Sequence, residues 1–241
     1  MGVVLDHGGA ADEYEAVALP AARGAANSLG SAVFLRRSAR PSRRAVLHLH
    51  DLTRSFAPAD LARWYNERGF HFYVTDLDSS ETLAATSRRQ PADSLGSSFA
   101  AIDSACRYLR EAGGIDAVIL SAQESTALPA MLWCDARRAS RPVAALILSK
   151  PDFGRARMRR LNIPCPVLVI SAAGQNLERQ KRSVSLGQHV TWLHLEDLAA
   201  NRHPARQGAP DGAGSARRRL FDEMGRWLGA YMYGGIRDQL L

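Results

Sequence analysis

Cysteine is scarce in this 241-residue chain, and only Cys106, Cys134 and Cys165 occur. An odd number of widely spaced cysteines excludes a disulfide framework, and no CxxC or Cys/His spacing offers a metal site. Each lies in an apolar segment and is expected to be a small buried hydrophobe. Lysine is scarcer still, with only Lys150 and Lys181 among 31 basic residues. Long apolar runs are missing. No stretch of about eighteen or more apolar residues occurs, which excludes a membrane-spanning helix. The opening MGVVLDHGGAADEYEA has no basic region followed by an apolar stretch, so a secretory leader is not expected and a cytoplasmic location is. The phosphate-cradling patterns GxGxxG and GxxxxGK[ST] are both absent, leaving nucleotide cofactors, and cofactors generally, without support.

What is present suits one soluble α/β domain spanning residues 1–241. Hydrophobic residues make up 46% and charged residues 23%, enough at this length to enclose one core and too few charges for a disordered chain. The net charge of +7 and pI near 9.8 raise the question of a nucleic-acid partner. The basic residues are nearly all arginine, spread through RRSARPSRR, RRASR, GRARMRR, RQKR and ARRR with little aromatic interleaving. That distribution describes a solvated surface rather than a binding groove. Attraction of the arginine-rich loops to polyanions would be nonspecific and lost at moderate salt.

Strand and helix periodicities alternate along the chain. YEAVALPA and GSAVFLRR read as neighbouring antiparallel strands, and RAVLHLH (Arg44 to His50) as a buried strand. APADLARWYNERG follows as a helix, with Leu61, Trp64 and Tyr65 at helical spacing and Gly69 at its end. FHFYVTDL is the next strand. SLGSSFAAIDSACRYLREAGG is a helix with Phe99, Ile102, Cys106 and Leu109 on one stripe. AVILSA is a strand and STALPAMLWCDARR a helix; VAALILSK, CPVLVIS and HVTWLHLE are further strands. ARRRLFDEMGRWLGAYM closes the chain as a helix whose Leu220, Met224, Trp227, Leu228 and Tyr231 are expected to face inward. Several strands are continuously apolar, which predicts a mostly parallel sheet of about eight strands covered on both faces, a three-layer sandwich. Residues 1–13 and 199–214 are expected to be mobile.

Taken in order, these segments resemble the α/β-hydrolase fold, and particularly its serine aminopeptidase, monoacylglycerol lipase and lysophospholipase-like branch. RRAVLHLHDL resembles the strand ending in a His-Gly pair, and LARWYNERGFHFYVTDLD the helix and strand after it. AVILSAQESTALPAMLW resembles the nucleophile elbow, a strand–turn–helix junction that carries the serine of G-x-S-x-G. PCPVLVIS resembles the strand before the catalytic acid, HVTWLHLEDL the strand before the catalytic histidine, and FDEMGRWLGAYM the closing helix.

The resemblance covers the elements from Tyr14 to Tyr231 and departs at the catalytic motifs. Acyl transfer requires a hydroxyl nucleophile, a histidine, a carboxylate to orient it, and amides to receive the oxyanion. Here Ala122, Gln123, Glu124, Ser125 and Thr126 stand against G-x-S-x-G, so the nucleophile position is Glu124 and both glycines are gone. Thr126, β-branched, is a poor replacement for glycine, and the elbow is expected to have relaxed. The acid's segment reads AAGQNLERQ, with Glu178 its only carboxylate. The histidine's position falls on Ala199, Ala200 and Asn201, with His203 beyond. The resemblance assigns oxyanion donation to the backbone amides of Leu52 and Ser125, beside a His50-Asp51 pair that replaces His-Gly. Only PDFGRARMRRLNIP lies where the cap is normally inserted, so the cap is nearly absent.

The individual residues admit two readings each. Glu124 is either a drifted position, its carboxylate favoured at a helix N-terminus, or an acid, base or nucleophile. Asp51, on the facing loop, would share a proton with Glu124 if the two approach, since neighbouring carboxylates cannot both ionise easily. Alternatively it caps the following helix or pairs with Arg54. His50 either orients its loop or transfers protons beside Asp51. Asp76 and Asp78 read as turn formers, Ser121 as a strand residue and Ser125 as a helix cap.

Two functions follow. Simultaneous loss of nucleophile, histidine, flanking glycines and cap describes a catalytically degenerate homologue that binds a small molecule or a protein partner. The alternative is a repurposed, cofactor-independent enzyme performing acid–base cyclisation, elimination or rearrangement through Glu124, Asp51 and His50.

Overall fold

The computed structural model describes residues 15–19, 32–36, 38, 40–50, 59–77, 92–152, 160–172, 175, 178, 180–181, 186, 189–195 and 212–233. Eight strands form one sheet: β1 (Glu15–Ala18), β2 (Ala32–Arg36), β3 (Arg44–His50), β4 (His71–Asp76), β5 (Ala117–Gln123), β6 (Ala145–Ser149), β7 (Val167–Ala172) and β8 (Val190–Leu195). Their spatial order is β1-β2-β4-β3-β5-β6-β7-β8. β1, β2 and β4 pair antiparallel, and the six strands from β4 to β8 run parallel. Strands continuously apolar in sequence, such as VLVISA of β7, are buried at every position. That is the signature of a sheet covered on both faces.

Among the described residues four α-helices supply the cover: α1 (Ala59–Glu67), α2 (Ala92–Glu111), α3 (Ala127–Ala136) and α4 (Gly212–Leu228). One face of the sheet packs Leu47, Leu49, Leu120, Leu148 and Val169 against Ile102, Leu109, Met131 and Trp133 of α2 and α3. The other packs Val46, Phe72, Ile119, Ile147 and Ile170 against Trp64 and Tyr65 of α1 and Met224, Trp227 and Leu228 of α4. Alternation of side chains along each strand divides these two cores. On the second face Trp64 stacks on Phe221 at 5.3 Å and Tyr65 on Phe72 at 5.8 Å, joining α1 to α4 and to β4. The Arg68 guanidinium lies 4.1 Å above Trp64.

Local sequence sets the boundaries. Gly69 adopts φ +74° just past α1, the left-handed conformation that stops a helix at least cost in glycine. Gly113 is fixed by space, because a Cβ there would meet the Leu109 carbonyl oxygen at 2.7 Å. Between α2 and α3, Asp103 accepts from Trp133 Nε1 at 2.9 Å and from Arg137 Nη2 at 2.6 Å. All three cysteines are free and buried; burial pushes the thiols of Cys106 and Cys165 up to about 12 and that of Cys134 well above its ordinary value. They are packing residues, as the sequence indicated.

The helix read from Ala216 begins four residues earlier, at Gly212. One expectation fails here. Tyr231, expected inside, is 42% exposed, because the chain leaves α-helical register in a π-helical turn, Gly229–Tyr233. Its ring leans on Trp227, 5.0 Å away, instead of entering the core. Residues 1–13 and 199–211 lie outside the described residues. Among the described residues no helix is long and apolar enough to cross a membrane.

Candidate functional site

The parallel strands all end at one edge of the sheet, where open α/β sheets bind their ligands. Six strand ends there are described: His50 on β3, Asp76 on β4, Gln123 on β5, Ser149 on β6, Ala172 on β7 and Leu195 on β8. β5 runs straight into a 3₁₀ turn, Glu124–Thr126, and then α3, so Glu124 stands at the tip of a strand–turn–helix junction. Its φ is +49°. That conformation costs a side-chain-bearing residue about 1–2 kcal/mol, so the turn has not relaxed. The expectation of a relaxed elbow is corrected.

The reason is Thr126. Its side chain is buried, and its Oγ1 accepts from the Gln123 N–H at 2.9 Å. The hydroxyl proton is shared between the carbonyls of Gln123, 2.8 Å away, and Leu49, 3.1 Å away. One hydroxyl thereby closes the turn on itself and ties it to the neighbouring strand β3. Thr126 is a clamp rather than a poor substitute for glycine. The Glu124 carbonyl adds a further tie, accepting from the Asp152 N–H at 3.2 Å. Ser125 does not cap a helix. Gln123 is the N-cap of the 3₁₀ turn and Thr126 that of α3, so Ser125 sits inside the turn, half-buried. Its N–H belongs to the first helical turn, where amides lack intrahelical acceptors.

Around this tip the structure places some expected residues and leaves others aside. His50 is half-buried at the end of β3, and its carbonyl accepts from the Leu77 N–H at 3.1 Å. Asp51, Leu52, Asp78, Ala199, Ala200, Asn201 and His203 lie outside the described residues, as do Arg54 and the side chain of Asp76. Glu178 is exposed and pairs with Lys181 at 3.1 Å, which directs its carboxylate to a surface ion pair. After β7 an amide does the local work. Gln175 Oε1 accepts from the Ala172 N–H at 3.0 Å, and its Nε2 donates to the Pro151 carbonyl at 3.3 Å. Gln180 Nε2 donates to the same carbonyl at 3.2 Å.

Ser121 lies below the tip inside β5 and is buried, as its strand position implied. Its Oγ is 3.1 Å from Nδ1 of His48, the residue opposite it on β3. The His48 ring lies between His50, 5.8 Å away, and Phe72, 5.7 Å away. Burial lowers its pKa to about 3, with the nearby charge of His50 a smaller contribution. His48 is therefore neutral at physiological pH, and Ser121 is enclosed away from any substrate.

Sequence reasoning missed Lys150 and Asp152. Both follow β6 directly, and Lys150 adopts φ +48°, its N–H donating to the Ile170 carbonyl at 2.7 Å. A signal was available, since LILSK ends a continuously apolar strand on one of only two lysines in the chain. Among the described residues no group of three or more His, Cys, Asp or Glu side chains is gathered for a metal ion.

No family model matches the chain, and no curated protein matches it. Solved structures do. The chain is similar to a dienelactone hydrolase from Anabaena variabilis ATCC 29413, with TM-score 0.59 at 14% identity over 91% of this chain and 99% of that one. It is similar to an esterase from Pyrococcus furiosus, with TM-score 0.57 at 10% identity over 91% and 93%. An α/β serine hydrolase without lid from Xanthomonas campestris matches with TM-score 0.51 at 16% identity over 76% of this chain and 84% of its own. Together with the strand order, these likenesses establish the α/β-hydrolase fold. At such identities they speak for the fold alone. What the chain does must be argued from its own residues.

Proposed function

We propose that this protein is a catalytically degenerate α/β-hydrolase homologue, related to the serine aminopeptidase and lysophospholipase-like branch, that binds a small molecule at the Glu124 edge without hydrolysing it. The observation that carries this reading is the carboxylate at the tip of a strained, clamped turn, the place where the fold presents a nucleophilic hydroxyl. A carboxylate there cannot be activated as a serine is, and its charge repels the oxyanion that ester or amide hydrolysis must develop. The preserved turn argues that the edge is still used, since strain of this size persists where the surroundings impose it. Binding without hydrolysis reconciles the two.

A second reading draws on the same strain. A carboxylate on the turn after β5 is also the kind of group that general acid–base chemistry uses, the alternative in which Glu124 acts with Asp51 and His50. The test separates them. A fluorophosphonate probe is expected to label no serine in the wild-type protein, and labelling of Ser125 or any other serine would refute the proposal. Turnover of a small-molecule library abolished by Glu124→Gln, with binding retained, would select the acid–base enzyme instead.

A further inference from the structure

The arginines of RRASR and those in the second half of α2 are separate stretches of the sequence, and the fold brings them together. Arg137, just past α3, donates to Asp103 of α2 from Nε at 3.2 Å and from Nη2 at 2.6 Å. Arg107 lies one turn further along α2, and its charge reaches the same carboxylate. Arg110 donates from Nη2 to the Pro142 carbonyl, next to Arg141. Arg138 pairs with Asp135 at 3.7 Å. All five arginines are exposed. They share one surface at the edge where β5 and β6 begin, the end of the sheet opposite Glu124.

Within this surface Arg141 is held at a cost. It adopts φ +44° and ψ +60°, the left-handed conformation that favours glycine. Arg137 and Arg138 are in ion pairs with Asp103 and Asp135, whereas the side chain of Arg141 is in no ion pair or hydrogen bond among the described residues. Its guanidinium therefore gives the fold nothing in return for the strained backbone, and strain of this kind gathers where a side chain is used. We propose that Arg141, flanked by Arg107 and Arg110, is the centre of a docking surface for an acidic segment of a partner protein. Arginine forks receive carboxylates through pairs of parallel hydrogen bonds, and the braced neighbours hold the surface in shape. Nucleic acid fits it less well. Asp103 and Asp135 interrupt the positive field that evenly spaced phosphates require. Bases would also have nothing to stack on, since the exposed large hydrophobic among the described residues is Tyr231, beyond α4 on the other face of the sheet.

Fluorescence anisotropy with labelled hexaglutamate, at pH 7 and about 0.15 M salt, tests this, with labelled hexauridylate as the nucleic-acid probe. Hexaglutamate is expected to bind saturably and at least about fivefold more tightly than hexauridylate. Arg141→Gly separates a docking role from a structural one. It should hold or raise the thermal midpoint, because glycine relieves the strain, while weakening hexaglutamate at least about fivefold. Arg107→Glu should weaken the peptide by a similar factor. Arg218→Glu makes the same change of charge at an exposed position of α4, on the other face of the sheet, and should leave binding within about twofold. Equal weakening by Arg107→Glu and Arg218→Glu would reduce the effect to the general attraction of a basic protein and overturn the proposal. Hexauridylate binding as tightly as hexaglutamate, no saturable binding at this salt, or an Arg141→Gly protein that binds like the wild type or melts earlier would overturn it as well.

Discussion

The ends of β5 and β7 are built in opposite ways. After β5 the chain enters a left-handed residue, Glu124, in a turn locked at the sheet edge by one buried hydroxyl. After β7 the side chain of Gln175 turns back onto the Ala172 N–H and the Pro151 carbonyl, and the carboxylate of Glu178 leaves for a surface ion pair. The strands beneath repeat the contrast. A serine–histidine pair joins β3 to β5 through buried His48 and Ser121, and another joins β7 to β8 through Ser171 and exposed His194. Backbone strain accompanies the buried hydroxyl clamp after β5, whereas after β7 a side-chain amide completes the turn. In this molecule the strained tip of β5 carries a carboxylate.

The largest effect should come from acid. His48 has its folded pKa lowered to about 3 against 6.5 in the unfolded chain, so the unfolded state binds the extra proton between those values. Stability is therefore full above about pH 6.5 and falls as pH drops toward 3, by up to about 1.4 kcal/mol per pH unit. Urea denaturation at pH 7 and pH 5 measures it. His48→Phe, which keeps the stack on Phe72, should flatten that dependence. An unchanged slope in His48→Phe would remove the difference between the two pairs.

Next in size are the two turn locks. Thr126→Val keeps the shape and removes the hydroxyl, leaving the Gln123 N–H and the Leu49 carbonyl short of a partner, and should cost about 1–3 kcal/mol. Gln175→Ala at the more open β7 end should cost about 1 kcal/mol. Equal losses in thermal denaturation would show that the β5 tip is no more tightly held than the β7 tip.

Much of the fold was legible because it rests on burial. Runs such as AVILSA and VLVIS mark strands covered on both sides, and the Leu61, Trp64, Tyr65 spacing marks α1, all properties of side-chain polarity alone. The ends of α4 were not legible, because Gly212, Gly214 and Gly229 punctuate the sequence there while the backbone runs on in helical turns. At the site, the position of Glu124 was read correctly from its strand–turn–helix context. Its conformation was not, because positive φ is ordinarily announced by glycine and is here enforced from a distance by Thr126 and Asp152.

The most direct test of the central claim, that the β5 tip holds its left-handed shape against its own side chain, compares Glu124→Gly with Glu124→Ala by chemical denaturation at pH 7. Neither variant carries the carboxylate, so their difference reports the backbone. The glycine variant should be the more stable by about 1 kcal/mol, because glycine adopts positive φ freely and alanine does not. An alanine variant equal to or more stable than the glycine variant would mean that the turn is relaxed.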